Sequence, residues 1–205
     1  MTDYLEHYRR LHDGTEAFMT PNGDVVYRDN LFDGYNFYEK LLKPIAQHVN
    51  SNKLDSFSIL DYGCGKAKHI YEPRCDGKTF HQYFEGRCQN YYCYDPGYNR
   101  YLREPPLGSH FDIIACADVM EHIPEADVPA ALQKMRDYTY VGGKAFFSIS
   151  GDEAWKKFIH GENLHVTVKP LAWWMEQLRE HYGHAFHLVY TANRKTVQVT
   201  SDANI

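Results

Sequence analysis

The feature that most constrains this chain is a short apolar run closed by a pair of glycines. Phe57-Ser58-Ile59-Leu60 passes directly into Asp61-Tyr62-Gly63-Cys64-Gly65, the pattern of a buried strand that turns sharply toward a helix. Gly63 and Gly65 lack a Cβ, so a turn built on them can take positive φ and bring its backbone against a ligand. Two later runs have the same form: Tyr91-Tyr92-Cys93-Tyr94 stops at Asp95-Pro96-Gly97, and Phe111 to Ala117 stops at Asp118. Nearly continuous apolar strands are those of a parallel sheet covered on both faces. A helix from Pro124 to about Tyr138, a break at Val141-Gly142-Gly143 and a strand from Lys144 to Ser150 supply the βαβ rhythm. Beyond a polar stretch to Pro170 come a helix through Trp173, Trp174, Met175 and Leu178 to about His181, then β runs at His187–Thr191 and Thr196–Thr200. The last two read as an antiparallel hairpin, so the expected fold is α/β, a mostly parallel sheet flanked by helices and ended by that hairpin.

A chain of 205 residues suits one such domain. Residues 1–34 mix helical signals with turn formers at Asp13-Gly14, Pro21-Asn22-Gly23-Asp24 and Asp33-Gly34. They read as a loosely ordered leader able to close over a pocket, with the domain proper at 35–205. Phe37, Tyr38, Leu41, Leu42, Ile45 and Val49 recur at helical spacing, with Pro44 a kink or break. No apolar run is long enough for a membrane span, and Met1-Thr2-Asp3-Tyr4 does not open a signal peptide, so a cytoplasmic protein is expected. Cys64, Cys75, Cys88, Cys93 and Cys116 show no C-x-x-C pair and read as reduced thiols. A net charge of −5 argues against nucleic acid as partner, which leaves a small molecule as the expected one.

In the order of these motifs the chain resembles the class I S-adenosylmethionine-dependent methyltransferase family, over roughly residues 35–205. Asp61-Tyr62-Gly63-Cys64-Gly65-Lys66-Ala67 is similar to its glycine-rich first motif, with Ala67 where a third glycine is usual, and Asp95 to its ribose-binding acid. Phe111-Asp112 to Asp118-Val119-Met120-Glu121-His122 is similar to its fourth-strand motif. The resemblance implies a Rossmann-like fold and S-adenosylmethionine held by Asp61, Tyr62, Gly63, Cys64, Gly65, Asp95, Pro96, Ala117 and Asp118. Chemically, Asp61 suits the methionine ammonium and Asp95 the two ribose hydroxyls, and a pair of acids favours a cationic sulfonium over a pyrophosphate. For adenine, backbone near Ala117 and Asp118 and the ring of Tyr94 or Tyr98 are the candidates.

Asp118, Glu121 and His122 stand at i, i+3 and i+4, a spacing that gathers them on one side of a helical turn at the sheet's carboxyl edge. With His165 downstream they form a donor set suited to a divalent metal. This subpattern is similar to that of metal-dependent small-RNA 3′-end ribose methyltransferases, with Trp173 or Trp174 on the following helix. The plainer alternative has His122 capping the turn, Glu121 facing solvent and both tryptophans in the core. His122, His165 and Glu121 are the catalytic candidates. Tyr4, Tyr8, His12 and Tyr27, with Lys78–Phe84, are expected to wall the pocket. Three functions follow: O-methylation of a small polar acceptor, metal-assisted ribose methylation of RNA, or cofactor binding without turnover.

Overall fold

The computed structural model describes residues 3–28, 31–73 and 77–201. Cys75 lies outside them; Cys64, Cys88, Cys93 and Cys116 are free thiols. Among the described residues, nine strands and five α-helices are arranged as two sheets with helices packed on the larger. In chain order they are α1 (Tyr4–His12), β1 (Phe18–Met19), β2 (Val25–Val26), α2 (Leu42–Ser51), β3 (Phe57–Tyr62), α3 (Phe80–Tyr83) and β4 (Cys88–Tyr94). These are followed by β5 (Phe111–Ala117), α4 (Val128–Asp137), β6 (Thr139–Ser150), β7 (Lys157–Phe158), α5 (Leu171–Tyr182), β8 (Phe186–Ala192) and β9 (Lys195–Ser201).

The large sheet runs β4-β3-β5-β6-β8-β9, parallel except for β9. The order departs from β3 in both directions, so the carboxyl ends of β3, β4 and β5 surround a topological switch point, where α/β sheets form their binding crevice. Alternation along each strand sorts the core. Leu60, Ile114, Cys116 and Phe147 pack with Leu132, Met135, Trp174 and Leu178 of α4 and α5. Ile59, Ile113, Ala115 and Phe146 pack on the other face with Leu41, Ile45 and Val49.

Local chemistry explains the boundaries that the periodicity missed. The helix expected from the Phe37–Val49 spacing begins as a π-helical turn over Phe37–Leu41, with Leu42 N–H donating to Phe37 O. Pro44 lacks an N–H and crowds the preceding turn, so the wider turn falls where a regular one would clash. The strand expected from Lys144 starts at Thr139, because Gly142 (φ +85°) lets it bulge and re-register against β5. The second strand starts at Cys88 rather than Tyr91. Between β4 and β5 there is only a 3₁₀ turn at Asn99–Tyr101, which leaves β4 at the sheet's edge. Asn193 and Arg194, both at positive φ, form the two-residue turn of the closing hairpin.

The described residues of the leader carry regular elements. Asp3 caps α1 by accepting from the Glu6 N–H (3.2 Å), and β1 pairs with both β2 and β7. Leu11, Phe18 and Leu31 join Phe158 and Leu164 in a third apolar cluster, which docks the leader on the segment after β6. No helix among the described residues is long and apolar enough to cross a membrane.

Candidate active site

The turn after β3 needs glycine for two reasons. Gly63 and Gly65 have φ of +77° and +58°. A Cβ on Gly63 would lie 2.4 Å from a Val119 methyl, and one on Gly65 would lie 2.1 Å from the Phe32 carbonyl oxygen. Backbone N–H groups of Gly63 and Cys64 donate to Tyr94 O (2.7 and 3.2 Å). Gly65 N–H donates to Asp95 Oδ2 and Gly97 N–H to Asp95 Oδ1, both at 2.8 Å. Asp95 is thereby fixed at the carboxyl end of β4 with lone pairs still free for a ligand. Only 8% of it is exposed, and burial raises its pKa to about 6. Ala67, at the third-glycine position, has φ +49°, a left-handed conformation that glycine takes more easily.

A cavity of about 260 Å³ opens above this turn. Of the residues expected to hold the cofactor, Tyr62, Gly63, Gly65, Asp95, Pro96, Ala117 and Asp118 line it, and Asp61 and Cys64 do not. Asp61 follows the parity of Ile59 and turns under the sheet, where its Oδ2 accepts from the Tyr91 hydroxyl (2.9 Å) and lies 3.2 Å from His69 Nε2. With 1% exposure it is held beneath the turn by these contacts. Cys64 is packed with Ala67 and Ile70.

The leader roofs the cavity. Tyr8 and His12 of α1 and Phe32 line it, and Arg9 Nε donates to Pro96 O (3.1 Å). His12 lies between Phe32 and Tyr98, its Nε2 3.8 Å from Asp95 Oδ1, and burial lowers its pKa to about 4. Other expected wall residues are elsewhere. Tyr27 is exposed and lines neither this cavity nor the next, and Phe80 and Phe84 lie in the core; Tyr94, a candidate for the adenine face, packs on Tyr62. Lys78 faces a separate surface cavity.

A second cavity of about 450 Å³ shares Phe32, Gly34, Asn36, Asp118 and His122 with the first. Its other walls include Trp155, Lys156 and His165. His122 Nδ1 lies 2.9 Å from Leu164 O, and His165 Nδ1 lies 2.6 Å from Asp152 O. A carbonyl only accepts, so each Nδ1 carries the proton and each Nε2 keeps a lone pair. The rings meet edge to face with centroids 4.8 Å apart. Burial, with the neighbouring His165 next, lowers His122 to about 3, and burial also lowers His165, so both stay uncharged near neutrality.

The i, i+3, i+4 grouping does not form. Asp118 takes φ +53°, and only a 3₁₀ turn follows at Met120–His122, so the helical turn assumed for the spacing is absent and Glu121 is turned away from the cavities that Asp118 and His122 line. Asp118 is held by Lys40 Nζ (2.5 Å) and the Ser148 hydroxyl (2.7 Å). Glu121 is fully buried, accepting from Ser150 N–H (2.9 Å); burial and then Asp118 raise its pKa to about 8. It lines neither cavity. Among the described residues no group of three or more His, Cys, Asp or Glu is arranged to hold a metal. The expected set Asp118, Glu121, His122 and His165 is not gathered, because Glu121 is buried against the Ser150 N–H and lines neither cavity. Trp174 is core, with Trp173 against it edge to face.

Sequence reasoning missed Phe32, Lys40, Ser148 and Lys156. All four come from segments without a motif, and contact across the fold is their only signal.

A glycine turn bonded to an acid on the next strand, beneath a cavity at the switch point, defines a nucleoside-binding α/β enzyme. Residues 27–191 match the family described as methyltransferase domain, well over half of the chain, so the protein belongs to that family. It is an S-adenosylmethionine-dependent methyltransferase. No curated protein and no solved structure matches the chain significantly.

Proposed function

We propose that the first cavity takes S-adenosylmethionine and the second a small polar acceptor that is methylated on oxygen. The observation that carries this reading is the shared wall: His122 and Asp118 line both cavities, so a ligand in one meets a ligand in the other at these residues. The first cavity suits the cofactor by its chemistry. Asp95 offers paired acceptors for a diol, Tyr62, Val119, Ile123 and Pro124 offer apolar walls for a base, and the glycine turn admits close backbone approach.

S-adenosylmethionine, held by Asp95 and the glycine turn, would supply an activated methyl to the acceptor oxygen, with the sulfonium sulfur as leaving group. The protein aligns the partners, keeps water out under α1 and Phe32, and receives the hydroxyl proton at His122 Nε2. A low-pKa imidazole suffices, because an oxygen acquiring a methyl becomes strongly acidic. His165 stands second in line with its own free Nε2. Lys40 and Ser148 fix Asp118 beside this point.

Two measurements test the reading. Calorimetry with S-adenosylhomocysteine should show binding to the wild type and a large loss in Asp95→Ala. Transfer of labelled methyl to a panel of small hydroxyl compounds should be lost in His122→Ala with S-adenosylhomocysteine binding retained. Transfer confined to amines, or full activity in His122→Ala, overturns it.

A further inference from the structure

Resting on that assignment of the second cavity, we propose that the acceptor carries an oxyanion, a carboxylate or a phosphate, and that Lys156 binds it.

The charges around the cavity are uneven in their pairing. Asp118 is matched by Lys40 and Asp33 by Lys68. The imidazoles of His122 and His165 are uncharged at neutral pH, and Glu121 is buried away. Glu153 stands exposed on the wall. Lys156 makes no ion pair with it or with any other carboxylate among the described residues. The Lys156 ammonium rests instead over the ring of buried Phe18, 5.5 Å from its centroid. Burial lowers its pKa and the positive Arg28 lowers it further, so a second cation, rather than an acid, stands near it. Its charge also reaches His122, helping to hold that imidazole neutral. A half-buried cation facing a cavity without a counter-ion lacks the partner that most favours it, and an anion bound there would supply it. That anion would sit within charge range of His122 Nε2, with its hydroxyl directed to the shared wall. Trp155, 62% exposed on the same cavity, offers a face for an aromatic or aliphatic body.

Probes paired as an anion and a neutral counterpart test this: 3-hydroxybenzoate against 3-hydroxybenzamide, lactate against lactamide, and glycerol 3-phosphate against glycerol. Binding is read by quenching of Trp155 fluorescence in protein saturated with S-adenosylhomocysteine, with Trp155→Phe identifying the signal. At least one anion should bind about tenfold or more tightly than its neutral twin, and the pair that responds separates carboxylate from phosphate. The preference should vanish in Lys156→Ala and return in Lys156→Arg. No preference in any pair, or one that survives Lys156→Ala, overturns the inference. The S-adenosylhomocysteine titration is independent: if it fails in the wild type the cofactor reading is lost, and if it succeeds without anion preference only the present inference is lost.

Discussion

The hydroxyl of Tyr8 lies 3.0 Å from Nδ1 of His122 and donates at 2.5 Å to Leu164 O, the carbonyl to which the same imidazole donates. This one contact joins the first helix of the chain to the residue on the wall of both cavities. Tyr8→Phe should therefore lower kcat about fivefold, the loss of one net hydrogen bond. Faster hydrogen exchange in α1 should accompany it, and unchanged exchange with unchanged kcat would show that the leader is a passive cover.

If the ring receives the acceptor's proton as proposed, His122→Gln should lower kcat by about 10²-fold or more while S-adenosylhomocysteine affinity stays within about threefold. Its folded pKa of about 3 lies below the ordinary 6.5. The stability linked to this depression is fully present above pH 6.5 and is lost as pH falls toward 3. Acid titration of the denaturant midpoint should be flatter in His122→Gln than in the wild type.

Asp95 gives a binding prediction with a pH signature. Asp95→Asn faces a backbone N–H with an amide donor in place of an acceptor, and should weaken S-adenosylhomocysteine binding by about 10- to 100-fold. Because burial raises the carboxyl to about 6, wild-type affinity should fall as pH drops below about 6. Calorimetry across pH 5 to 8 should find the Asn variant nearly flat.

Gly65→Ala puts a methyl 2.1 Å from the Phe32 carbonyl oxygen at a φ of +58°. The destabilisation should be at least about 2 kcal/mol by denaturant titration, since backbone must move on both sides of the contact. Ala67→Gly should be close to neutral, relief of the left-handed conformation offsetting the entropy of glycine.

Glu121 has a folded pKa raised from 4.5 to about 8. The stability linked to that shift is fully present below about pH 4.5 and lost as pH rises through about 8. Glu121→Gln keeps an acceptor for the Ser150 N–H and cannot ionise, so its denaturant midpoint relative to wild type should be higher at pH 9 than at pH 6. An equal difference at both pH values would show the carboxyl to be ionised already in the folded protein.

By itself the sequence determined the sheet and the glycine turn, because buried parallel strands are written as contiguous apolar runs and positive φ is written as glycine. Phe57–Tyr62, Phe111–Ala117 and the hairpin after Phe186 were legible for that reason, as were Gly63, Gly65 and the position of Asp95 at a strand end. Tertiary structure alone decided where side chains point once regular spacing ends. Asp61 turns under the sheet by strand parity, and Glu121 turns into the core because Asp118 adopts a left-handed conformation that breaks the helical turn assumed for the spacing. Only the fold brings Tyr8, Phe32, Lys156 and His165 to one pair of cavities, since their contacts span separations that no local pattern encodes.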